Sequence, residues 1–108
     1  MIDDLLFQWK KRVEARQDLI SLYSRKPVRI AVNLETEGYY LVLNPKGLCI
    51  STEKEKQIDV TIYVTDDIFI ELLKGKEKLT QLPGHLAKCK GKYRDILLFE
   101  SLLYLTSP

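Results

Sequence analysis

Cysteine and histidine are scarce in this chain. Its 108 residues include two cysteines, Cys49 and Cys89, and a single histidine, His85. Two thiols are too few for a disulfide scaffold, and with one imidazole they do not complete a zinc site. Long apolar runs are also missing: none reaches the roughly 18 residues a membrane span needs. Met1 is followed by the acidic pair Asp3 and Asp4, so no secretory leader is visible. These absences lead us to expect a cytoplasmic chain with reduced thiols and no stable membrane insertion. A Gly-rich phosphate cradle is lacking, as is a basic tract interleaved with aromatics, so no nucleic-acid partner is expected. No internal repeat, linker or low-complexity segment interrupts the chain, which reads as one domain over residues 1–108.

Apolar residues make up 45% and charged residues 30%, with a formal net charge of +2. That balance describes a chain that folds around a core and is neither disordered nor membrane-embedded. The stretch around which the rest is organised runs from Ile58 to Lys76. Ile58, Val60, Ile62 and Val64 alternate with Asp59, Thr61, Tyr63 and Thr65, which predicts a strand with one buried face. Thr65-Asp66-Asp67 then supplies capping oxygens and negative charge for a helix start. Ile68, Phe69, Leu72 and Leu73 follow at helical spacing, and Gly75 offers a left-handed stop.

Before that stretch, Leu5, Leu6, Trp9, Val13, Ile20 and Tyr23 predict one amphipathic helix from Asp3 to about Ser24, stopped by Pro27. Val28 to Glu35, Tyr39 to Leu43 and Leu48 to Ser51 alternate as three strands. They are joined through Thr36-Glu37-Gly38 and Asn44-Pro45-Lys46-Gly47, so an antiparallel meander is expected. Thr52 to Gln57 is a charged loop. After the connector Leu79 to Pro83, His85 to Lys90 alternates weakly and predicts a fifth strand with Ala87 and Cys89 inward. A final helix is expected from about Lys92 to Leu105. Eight of its ten residues from Ile96 to Leu105 are apolar, more than one stripe on a solvated helix requires.

The order of these elements, together with Asp59-Val60-Thr61-Ile62, Leu73-Lys74-Gly75-Lys76 and Lys88-Cys89-Lys90-Gly91, resembles the sterol carrier protein type-2 domain family. The resemblance spans roughly Val28 to Leu105. It implies an α/β (α+β) fold: a five-stranded, mainly antiparallel sheet with helices packed on one side. It also implies an apolar tunnel between sheet and helices for sterols, acyl chains or phospholipids. Ala87 and Cys89 depart from the larger aliphatic residues usual in that strand. The ending Leu105-Thr106-Ser107-Pro108 is not a peroxisomal tripeptide, and a compact, bacterial, stand-alone version is expected.

Two functions remain open on this reading. The first is non-catalytic binding or transfer of an apolar small molecule, a lipid or acyl chain, between the sheet and the last helix. Ile68, Leu72, Ala87, Cys89, Leu98, Phe99, Leu102 and Leu105 would line the pocket, or simply pack as core. Lys88, Lys90, Lys92 and Arg94 would meet an anionic head group, with Tyr39, Tyr40, Tyr63, Tyr93 and Tyr104 candidates for the mouth. The second is an interaction module in which the spare apolar face makes a homodimer or docks a partner. An enzyme is not expected, nor is a cofactor or a metal. His85 and Cys89 would lie about 13 Å apart along one strand, too far for a nucleophile and its base, and Asp66 and Asp67 are explained as helix caps.

Overall fold

The computed structural model describes residues 2–23, 26–35 and 37–106. Three α-helices, α1 (Ile2–Ala15), α2 (Asp66–Leu73) and α3 (Tyr93–Leu105), pack on one face of a sheet of five strands. These are β1 (Val28–Asn33), β2 (Gly38–Asn44), β3 (Gly47–Ser51), β4 (Val60–Val64) and β5 (Ala87–Gly91), in the order β3-β2-β1-β4-β5. β1 runs parallel to β4, and every other neighbouring pair is antiparallel. The expected meander, organising strand and capped helix are therefore present. The turn before β2 falls partly outside the described residues, because Thr36 is among those left undescribed, as are Ser24, Ser107 and Pro108.

Register explains the core. Ile30 stands opposite Leu41 on one side and Val60 on the other, and Val32 is flanked by Tyr39 and Ile62. All six are buried, because period-two alternation turns the same face of each strand toward the helices. The helices answer with Trp9, Phe69, Leu72, Phe99 and Leu102, which retain no exposed surface. The Trp9 and Phe99 rings meet edge to face at 5.9 Å, a geometry favoured by the aromatic quadrupole.

The turn chemistry of the organising stretch is realised closely. Thr65 Oγ1 accepts from the Ile68 N–H at 3.3 Å and caps α2. At the other end Gly75 has φ +73°. The Gly75 N–H donates to the Leu72 carbonyl and the Lys76 N–H to that of Glu71, the paired bonds of a Schellman stop. Gly91 closes β5 at φ +136°, and a side chain there would fall on the Asp59 carbonyl oxygen.

Several expected boundaries differ: β1 ends at Asn33 rather than Glu35, β4 begins at Val60 rather than Ile58, and the first helix and fifth strand shift for identifiable reasons. The first helix ends at Ala15, and Arg16 leaves helical geometry at φ −97°, ψ 84° before a 3₁₀ segment, Gln17–Leu22. The apolar phase is the reason. A straight continuation would bring Arg16 and Gln17 to the buried stripe after Val13. The break instead rotates Leu19 and Tyr23 inward, and both are buried. The fifth strand begins at Ala87 rather than His85, because the Leu86 and Ala87 N–H groups both turn back to the Pro83 carbonyl. His85 is exposed in that turn and not part of the strand.

The first and last helices are locked together at one end. Trp9 Nε1 donates to the Leu102 carbonyl at 3.3 Å. Arg12 donates to the Thr106 carbonyl at 2.5 Å and to the Leu73 carbonyl at 3.2 Å, and Arg16 to that of Leu105 at 2.8 Å. Cations at the C-termini of α2 and α3 satisfy orphan carbonyls and oppose the negative dipole ends.

Candidate functional site

A groove of about 480 Å³ opens at the opposite, N-terminal half of α3, where it passes the 3₁₀ segment and the start of β1. Its apolar wall is made by Leu22, Val28, Leu97 and Leu98 with the ring of Tyr23; Lys26, Arg94 and Asp95 supply charge. A volume of this order is within the range of small-molecule sites, roughly 300–1,000 Å³. The 3₁₀ segment forms one wall of the groove. It brings Tyr23 against the sheet and leaves Leu22 half exposed beside α3.

The expected lining residues are distributed differently from a single tunnel. Leu72, Phe99 and Leu102 have no exposed surface and belong to the packed core with Trp9 and Phe69. Ala87 is buried, while Ile68 and Cys89 are partly buried and packed against that core. Leu105 is 48% exposed at the end of α3, so it faces water rather than an interior. Leu98 alone among the eight borders the groove. Its neighbours there, Leu22, Tyr23 and Leu97, are not among the lining residues expected from the sequence.

The four basic candidates do not converge on one head-group site. Lys88 and Lys90 alternate with the inward Ala87 and Cys89 and so stand on the outer face of the sheet. There the Lys90 ammonium lies 5.6 Å from the centre of the Tyr63 ring. Lys92 precedes α3 as its N-terminal cap residue without a side-chain capping bond. Only Arg94 reaches the groove. The tyrosines are scattered as well. Tyr39 is buried, Tyr63 is on the outer sheet face, Tyr93 is exposed at the start of α3, and Tyr104 pairs with Lys78.

Electrostatics set the remaining polar groups apart. Burial pushes the Cys89 thiol above its ordinary pKa, and the charge of Glu100 adds to the shift. A thiol held protonated is a poor nucleophile. Burial also raises the Tyr39 phenol, which bonds to the carboxylates of Asp3 and Glu37. On the helix side, Glu14 accepts from the Leu48 N–H at 3.1 Å and is shifted below the usual carboxylate range mainly by that bond. These are fastenings between α1 and the sheet. Among the described residues no helix is long and apolar enough to cross a membrane, and no group of three His, Cys, Asp or Glu side chains is placed to hold a metal ion.

Comparison with known proteins gives one family and several similar folds. The family model described as "SCP-2 sterol transfer family" matches residues 3–83. The match ends before β5 and α3, so the groove is only half inside it. No curated protein matches the chain. A solved "UbiJ-SCP2 Ubiquinone synthesis protein" is 16% identical with a TM-score of 0.71, the match covering 97% of this chain and 87% of that one. Sterol carrier protein-2 like-3 from Aedes aegypti is 18% identical with a TM-score of 0.61, covering 94% of each chain. A sec-alkylsulfatase, Pisa1 from Pseudomonas sp., is 16% identical with a TM-score of 0.65 over 80% of this chain but only 14% of its own. At these identities the likeness is one of fold.

Proposed function

Because the chain belongs to the SCP-2 sterol transfer family, we propose that it is a non-catalytic carrier that takes an elongated apolar ligand at the seam between the 3₁₀ segment and α3. Membership implies binding or transfer of a sterol or another lipid, and the ligand's place on this chain is our reading. The observation that carries it is the groove bordered by Leu22, Tyr23, Leu97 and Leu98, which accounts for part of the apolar excess of α3. The core side of that helix, Ile96, Phe99, Leu102 and Leu103, is filled by packing. Leu97 and Leu98 are left over, half buried, at the groove.

Magnitudes constrain how such a ligand sits. Half-burying a sixteen-carbon chain in an open groove contributes about 6 kcal/mol, at ~0.8 per methylene, before ordering costs. Micromolar binding requires about 8 kcal/mol net. The seam therefore has to part further when the ligand enters. The fastenings favour that asymmetry: Trp9, Arg12 and Arg16 pin the C-terminal half of α3, while its N-terminal half borders the groove.

Native mass spectrometry of protein purified without detergent tests the reading. A monomer carrying a stoichiometric lipid mass, lost in Leu98→Trp while the far-ultraviolet circular dichroism is kept, is the expected result. A ligand-free dimer would favour the interaction module instead, and an adduct retained in full by Leu98→Trp would move the site elsewhere.

A further inference from the structure

The groove contains one polar group whose environment is unusual. Asp95 lies in the first turn of α3, is only 3% exposed and lines the groove. Among the described residues its carboxylate takes part in no hydrogen bond or ion pair, although the same residues leave no fully enclosed side-chain oxygen without a partner. Its carboxylate oxygens therefore keep some exposure, on a residue that lines the groove. A helix N-terminus explains why a negative charge is tolerated there. It does not explain why a carboxylate this buried goes without a donor, since burying an unpartnered polar group is costly.

We infer that Asp95 is the specificity-determining acceptor of the groove, selecting a neutral apolar molecule with a hydroxyl donor over a fatty acid carboxylate. The inference rests on the groove being the ligand site. A hydroxyl supplies the missing O–H···O⁻ bond, which is of the strong, charge-assisted kind. A ligand carboxylate would instead place like charges together. Lys26 and Arg94 border the same groove and attract anions, but both side chains are exposed and screened by salt, whereas the Asp95 carboxylate is sheltered. The two cations equally disfavour a ligand ammonium. A neutral alcohol meets neither objection.

Calorimetric titration with 1-decanol and with decanoate tests the assignment, since the two probes differ only at the head. Wild type is expected to bind decanol about tenfold more tightly or better, the margin of one charge-assisted hydrogen bond, and to keep that preference at high salt. Asp95→Asn, of the same shape, is expected to weaken decanol and strengthen decanoate, so that the ratio collapses or inverts. An equal or greater wild-type affinity for decanoate would overturn the assignment, as would an unchanged ratio in a folded Asp95→Asn. If that variant does not fold, the wild-type ratio at low and high salt decides alone. Leu98→Trp separates the two levels. Loss of both probes there with an unchanged ratio in Asp95→Asn refutes the role of Asp95 only. Retention of both, or no wild-type binding of either, refutes the groove itself.

Discussion

Arg12 ties the C-terminal end of α3 to that of α2, and its removal gives a prediction with a definite size. The guanidinium reaches the carbonyls of Thr106 and Leu73, the C-terminal ends of two different helices. Leu73 is 1% and Thr106 3% exposed, so water has little room to replace it. Leaving one buried carbonyl unpaired costs about 1–3 kcal/mol, and the lost charge–dipole attraction adds some tenths to ~1 kcal/mol for each helix end. Allowing for partial relaxation, Arg12→Ala should destabilise the fold by about 2–4 kcal/mol. In a domain near this size each kcal/mol shifts the melting temperature by roughly 4–8 °C, so a fall of at least ~8 °C is expected by calorimetry. Arg12→Lys should lie between, because one ammonium on a flexible stem does not span both carbonyls as a planar fork does. Arg16→Ala removes the same kind of bond, to Leu105, from an exposed position and should cost far less. A melting temperature for Arg12→Ala within a degree or two of wild type, or equal to that of Arg16→Ala, would refute the reasoning.

Two further outcomes follow from the fastenings. The Tyr39 phenol is held above its unfolded value of about 10, so its contribution is complete below that pH and is lost as pH rises toward the higher folded value. Denaturation followed from pH 9 to 12 should therefore show stability falling above pH ~10, with a slope about one proton shallower in Tyr39→Phe; identical slopes would contradict it. Gly91→Ala forces a side chain onto the Asp59 carbonyl at a backbone angle few other residues adopt, and a loss of about 2 kcal/mol or more is expected in urea titration. A neutral Gly91→Ala would mean that β5 ends differently.

Much of this architecture is legible in the sequence because it is written locally. The alternation of Val28, Ile30 and Val32, of Val60, Ile62 and Val64, and the Thr65 cap each depend on residues close in sequence, and all appear in the fold. The break at Arg16 carried a signal too. The stripe Leu6, Trp9, Val13 loses phase before Leu19, and a helix read across that shift is too long. The alternation of Ala87 and Cys89 with Lys88 and Lys90 already separates those lysines from an inward site. Adjacency in sequence had grouped them with Arg94, and the pleat divides them. The groove was not legible, because it is made where Leu22 and Tyr23 meet Leu97 and Leu98, segments some seventy residues apart that no local pattern brings together. Leu72, Phe99 and Leu102 illustrate the same limit, since apolar residues facing a sheet look alike whether they line a space or fill it.

A carrier of this kind has to meet its lipid at the groove beside α3. Amide chemical-shift mapping of ¹⁵N-labelled protein during titration with 1-decanol measures that directly. The largest saturable shifts are predicted at Ser21–Tyr23, Val28 and Arg94–Ser101, with the outer sheet face around Thr61, Tyr63 and Lys90 unmoved. Shifts centred on that outer face, or no saturable shift with a concentration-dependent dimer instead, would contradict it.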